Sequence, residues 1–177
     1  MAKKKSVAKK INLGAIVAFV GALVAFIAFF IPQVVQKELE VSLNGIDLST
    51  VLLGAGKGLD NLDIQLAVEA LKLINAEATQ SLMIFTFVGV IVAGLYMLYS
   101  LAGIFVKDVR SKLLNLIFAG VLLGVGIAVI SSAGALQAGA TKEILGETIV
   151  ALSMSAGPFM TAIGGGIGVL SFLFYKK

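Results

Sequence analysis

The sequence predicts an all-α membrane protein: a four-transmembrane-helix bundle with a small extracytoplasmic cap built from a hairpin and a helix. Three observations carry that prediction. Four apolar stretches divide the chain, the charges sort by segment, and one polar link is long enough to fold outside a bilayer. The 177 residues are 59% hydrophobic and only 14% charged, against about 45–50% and about 25% for an ordinary soluble domain. Mean hydropathy is +1.04.

The first stretch, Ile11 to Ile31, has 21 residues and spans about 31 Å as a helix, enough to cross a hydrocarbon core. It is preceded by a basic tail (1–10) and ends at Pro32, which cannot continue the backbone ladder. It is too long for a signal-peptide core, and no A-x-A-like site follows it, so an uncleaved span is expected over 11–32. A second span is expected over 82–106, ending in the charged turn 107–112. A third runs over 113–133, fraying at Ser131, Ser132 and Gly134. For the fourth, Gly157-Pro158 interrupts a long apolar run, and proline suits a first helical turn. The span is therefore placed at 158–175, with an outer segment before it (134–157). One long helix kinked at Pro158 is the alternative.

The charges set the expected topology. The N-terminal tail, the 107–112 turn and the C-terminal end (176–177) carry Lys3, Lys4, Lys5, Lys9, Lys10, Lys107, Arg110, Lys112, Lys176 and Lys177 against one acid, Asp108. The other two links carry Lys37, Lys57, Lys72 and Lys142 against nine acids. These sums, +9 and −5, give the net +4 of the whole chain. Lys and Arg beside spans stay cytoplasmic, so both termini are expected inside a plasma membrane. The same clustering explains the basic pI without nucleic acid. The partners expected are the lipid bilayer and either further copies of the chain or another membrane protein. Lysine-heavy ends and the absence of cysteine point to a bacterial source.

The link 33–81 is expected to fold. Val41 to Leu48 alternates apolar and polar residues around Asn44-Gly45, which accepts the positive φ values of a type I′ turn; this predicts a hairpin. Gly54 to Gly58 reads as a flexible turn. Its likeness to a phosphate loop fails because Gly58 stands where Ser or Thr is needed. A helix is expected over 61–78, with Leu62, Leu66, Ala70, Leu73 and Ile74 on one apolar stripe. Asp60 and Asp63 read as a capping pair at its start rather than as calcium ligands.

Much chemistry is excluded by what is missing. There is no Cys and no His, which removes thiolate catalysis, disulfides and the commonest base and metal ligand. No Asp, Glu, Lys, Arg or His lies well inside any span, and proton relays and ion-coupled carriers need such groups. Thr86, Ser100, Asn115, Thr161 and Ser171 are the polar residues inside and read as interhelical packing. Neither a cofactor nor a catalytic set is expected. With no Trp, an aromatic belt would have to use Phe and Tyr; Tyr96, Tyr99 and Tyr175 lie toward the cytoplasmic span ends, where such rings favour the interface.

Small residues four apart share a helix face and let backbones approach closely. Gly120 and Gly124 form one such pair, Gly164 and Gly168 another. Each pair reads either as packing of the third and fourth spans within the chain or as a contact between copies. The function expected is a non-catalytic scaffold or accessory subunit that self-associates. A small channel or carrier for a neutral or weakly polar solute is the alternative, and it predicts flux sensitive to Ser100 or Thr161.

The order of elements (span, outer hairpin and helix, span, short basic turn, two spans with a smaller outer loop) resembles the claudin and peripheral-myelin-protein tetraspan architecture. The claudin signature of Trp, Gly-Leu-Trp and two Cys has no counterpart here, so the resemblance is one of layout. It also resembles small four-span proteins of bacterial membranes.

Overall fold

The computed structural model describes residues 12–36, 41–54, 62–109, 111–144, 147–150 and 152–175. It is mostly helical. Helix α1 (Leu13–Ala28) leads to strand β1 (Pro32–Gln36), β2 (Val41–Asn44) and the short helix α2 (Gly45–Leu52). Helix α3 (Leu62–Phe105), a 3-10 turn (Lys107–Val109) and helix α4 (Lys112–Gly139) follow. Strands β3 (Thr141–Ile144), β4 (Glu147–Val150) and β5 (Leu152–Met154) precede helix α5 (Ala156–Ser171) and a closing 3-10 turn, Phe172–Phe174.

Three of these helical segments, within 63–105, 112–139 and 156–174, are long and apolar enough to cross a membrane. Their outward faces show Leu95, Leu98, Ile117, Ile127, Ile163 and Leu170, a continuous apolar exterior that fits a lipid environment. Helix α1 is apolar but has only 16 residues, about 24 Å. It starts where the Asn12 side chain accepts from the Gly14 and Ala15 amides and stops at Ala28, three residues before the expected end. The side chain of Gln33 closes it, its Nε2 donating to the carbonyls of Ala28 (2.9 Å) and Ile31 (3.1 Å). Carbonyls left open at a helix end need such partners.

The helices pack in a ring, α1 against α5, α5 against α4, α4 against α3 and α3 against α1. Many of the fully buried side chains are small, among them Ala15, Ala18, Ala22, Ala25, Ala93 and Ala119, beside the larger Tyr96 and Leu122. A three-stranded antiparallel sheet, ordered β2-β1-β5, covers one end. Val35 sits opposite Ser42 on one side and Ser153 on the other. Val34, Leu43 and Leu152 are buried, the inner-face residues that pleating provides. Pro32 opens β1, a position where a missing ladder donor costs little. Strands β3 and β4 form a separate two-stranded hairpin.

Four expectations need correction. First, Asn44-Gly45 is not a hairpin turn. The Asn44 Oδ1 accepts from the amides of Ile46 (2.8 Å) and Asp47 (2.9 Å), while Asp47 Oδ2 accepts from the Asn44 amide. This reciprocal capping box starts α2 and outweighs the turn preference of Asn-Gly. β2 pairs instead with β1, before it in the chain. Gly45 has no positive φ; its missing side chain makes room for the Phe29 ring.

Second, the amphipathic helix and the second span run together as α3, broken at Asn75 (φ −159°, ψ 100°) rather than after Ala78. Asn75 caps the segment that follows, its Oδ1 accepting from the Ala78 amide. The inward face of the first part is Ala67, Val68 and Leu71, with Ile64 and Ile74 partly covered. Leu66 (51% exposed) and Leu73 (90%) point outward. The expected stripe is thus rotated, and the small Ala67 lies on the buried side of a helix that packs on α2.

Third, α4 does not fray at Ser131; it continues to Gly139. The Ser132 hydroxyl donates back to the Ala128 carbonyl, and near the far end Gln137 accepts from the Met154 amide of β5, so the extra turns are held by the sheet. Fourth, β3, β4 and β5 precede α5 where no strand was expected, and α5 begins at Ala156 with Pro158 in its first turn, not as the second half of a kinked helix.

Candidate functional site: two glycine faces, a polar network and an outer groove

Glycines in this chain fall into two environments. Helix α5 turns Gly164, Gly165 and Gly168 into the bundle, while Gly166 has open space around it. A Cβ on Gly164 would lie 2.6 Å from the Ala25 amide nitrogen and the Gly21 carbonyl oxygen, both on α1. One on Gly165 would strike the backbone of Leu122 and Leu123 on α4. One on Gly168 would meet the Tyr96 hydroxyl at 2.8 Å and the Ala119 side chain at 2.9 Å. From the other side, Gly21 faces the Gly164 carbonyl and Gly126 faces Ala162. The Gly164/Gly168 pair therefore packs α5 within the chain, against α1 as well as α3 and α4.

Gly120 and Gly124 differ. Nothing lies within 4 Å of a Cβ built on either, and both are exposed. With Leu113, Ile117, Ile127 and Ser131 they recur every three or four residues along α4, one face of a helix. Leu113, Ile117 and Ile127 are 68%, 51% and 57% exposed. Among the described residues no helix covers that face at the two glycines.

The opposite end of the bundle from the three-stranded sheet holds a buried polar network. The Tyr96 hydroxyl on α3 donates to Asn115 Oδ1 on α4 at 2.8 Å. Asn115 Nδ2 donates to Ser171 Oγ on α5 at 2.8 Å, and that hydroxyl donates to the Gly168 carbonyl. All three side chains are fully buried. The network ties three helices together at one depth. Thr86, Ser100 and Thr161 bond carbonyls of their own helices. Tyr96 and Tyr175 are thus buried, not belt residues facing an interface. Tyr99 reaches the end of the 107–109 turn, where its hydroxyl bonds both the amide and the carbonyl of Ser111. Sequence reasoning placed Asn115 only as a packing residue. Its role as hub depends on helix neighbours that a linear pattern does not reveal.

Of the charges expected to set topology, Lys3, Lys4, Lys5, Lys9, Lys10, Arg110, Lys176 and Lys177 lie outside the described residues, as does the side chain of Lys107. Lys112 is described; its Nζ sits 5.4 Å from the centre of the Phe172 ring. The neighbours of the basic segments come together at one end of the bundle: Gly14 at the start of α1 abuts Tyr175. Of the Asp60/Asp63 pair, Asp63 falls in the first turn of α3 and Asp60 is outside the described residues. Among the described residues no three Asp or Glu side chains come together as a metal site.

A groove of about 280 Å³ opens between α3 and α4 near the sheet end, lined by Asn75, Glu77, Ala78, Ser81, Ser131, Ser132 and Ala135. It exists because α3 breaks at Asn75 while α4 continues past Ser131. The paired serines were visible in the sequence, but read as a fraying end. No family model, no curated protein and no solved structure matches the chain.

Proposed function

We propose that the chain is a four-span integral membrane protein with both termini cytoplasmic, acting as a non-catalytic scaffold or accessory subunit that self-associates. In this reading α1 is the fourth span, and its short helix is extended toward the interface by the turn at Phe29–Ile31. The claudin-like order of elements agrees with a tetraspan layout.

The observation that carries self-association is the open setting of Gly120 and Gly124. Close packing between helices in lipid relies on small residues and van der Waals contact. The other four-spaced pair, Gly164 and Gly168, is already used inside the chain; this one remains available to a second copy. The hydrogen-bonded state of the polar side chains inside the bundle supports a packed scaffold over a solute path. The test is the mass of the chain in native membrane patches. A defined oligomer that falls to monomer in Gly120→Leu/Gly124→Leu, with the fold intact, supports the reading; a monomer in the unaltered chain refutes it.

A further inference from the structure

We propose that the groove between α3 and α4 binds a phospholipid whose head ends in a primary ammonium. This rests on embedding in a membrane, not on self-association.

Depth is the first argument. Ser131 lies 19 residues along α4 from Lys112, about 28 Å at 1.5 Å per residue. Ser81 lies 24 residues along α3 from Phe105, about 36 Å. A hydrocarbon core is about 30 Å thick and reaches about 40–45 Å with its headgroups. The groove therefore opens where acyl chains give way to heads.

Chemistry is the second. Glu77 brings a carboxylate with no cation against it among the described residues; the nearby Lys72 is paired with Glu69 at 2.7 Å. Ser132 donates its hydroxyl proton to Ala128, which leaves its oxygen as an acceptor. Asn75 accepts from Ala78 through Oδ1, which leaves its amide hydrogens for an anionic oxygen. Ser81 and Ser131 offer hydroxyls that serve either way. One fixed negative charge beside neutral donors and acceptors matches a zwitterion: the ammonium at Glu77, the phosphate at Asn75 and the serines. A charge-assisted N–H bond to carboxylate also selects a primary ammonium over a quaternary one, which has no N–H to give.

Size and surroundings are the third. About 280 Å³ lies at the small end of ligand sites, which run from about 300 Å³ upward, and so suits a head rather than a whole amphiphile. Phe85 and Val88, each 36% exposed, follow Ser81 at helical spacing toward the membrane centre. These apolar faces are where the acyl chains of a seated lipid would run, and they are why a lipid is favoured over a soluble amine.

The experiment uses the full chain in bilayers of equal phosphoethanolamine and phosphocholine lipid, released and weighed with its retained lipids. Resistance of the chain to alkaline extraction is measured first, so that a failure of membrane embedding is seen separately. The expected result is enrichment of the phosphoethanolamine lipid by about tenfold, the scale of one charge-assisted bond, and its loss in Glu77→Gln. Ala135→Leu, which fills the groove without altering charge, lowers retention too. Both positions are exposed, and thermal unfolding verifies both folds. Equal retention of the two lipids, or enrichment unchanged in Glu77→Gln, overturns the proposal. Displacement of the lipid by an equal concentration of soluble phosphoethanolamine overturns the lipid as occupant.

Discussion

The glycines of α5 and those of α4 look alike in the sequence, each a pair four apart in an apolar run, yet they sit in opposite environments. At Gly164 on α5 the space of a side chain is taken by the α1 backbone and at Gly168 by the Tyr96 and Ala119 side chains; at Gly120 and Gly124 on α4 no described residue takes it. A glycine motif therefore specifies close approach but not the partner. Which side of the helix the rest of the fold claims decides whether the motif stabilises the monomer or remains for another molecule.

The largest effect expected from breaking this contrast is at Gly164 or Gly165. Leucine at either site drives a side chain into the backbone of α1 or α4, and overpacking that cannot relax costs about 3 kcal/mol or more. Loss of folded chain, read by detergent-resistant thermal unfolding, checks it. Leucine at Gly120 and Gly124 instead leaves the unfolding midpoint of the monomer unchanged, the shift staying within about 0.5 kcal/mol. If the α4 pair destabilises the monomer as much as the α5 pair, the distinction between the two faces fails.

A smaller effect is expected at the polar network. Asn115→Leu removes the acceptor of the buried Tyr96 hydroxyl and the donor to Ser171 Oγ, at about 1–3 kcal/mol. Adding Tyr96→Phe removes one orphaned group, so the double variant is less destabilised than the sum of the two single changes. Strict additivity in that cycle would contradict the hydrogen bond. Next is Asn44→Ala, which removes the capping box of α2 at about 1 kcal/mol. The smallest effect is at Lys72→Ala, where an exposed pair with Glu69 is worth about 0.3 kcal/mol.

Much of the helical layout was legible because hydropathy over long runs reflects length and solvent together. The apolar stretches became α1, α4, α5 and the later part of α3, although α1 stops at Ala28, short of Pro32. What was not legible depended on competition between local signals. Asn44-Gly45 satisfies the rule for a hairpin turn and, with Asp47 three residues on, the rule for a capping box; only the pairing of β2 with β1 and the Phe29 ring beneath Gly45 decide between them. The buried face of the first part of α3 was misread because Ala67 scores lower than Leu66 or Leu73 on any hydrophobic scale, although a small residue allows α2 to come closer. Strand β5 pairs with β1 across more than a hundred residues of sequence, and no local pattern marks that. The outer groove was hidden for the same reason: it needs the break at Asn75 and the persistence of α4 at once.

The most direct test of the account is the oligomeric mass of the chain in intact membrane patches, compared between the unaltered protein and Gly120→Leu/Gly124→Leu. The account predicts a defined oligomer that becomes a folded monomer in the variant. An oligomer that survives the double substitution, or a monomer before it, would contradict the claim that this face of α4 is kept for a second copy.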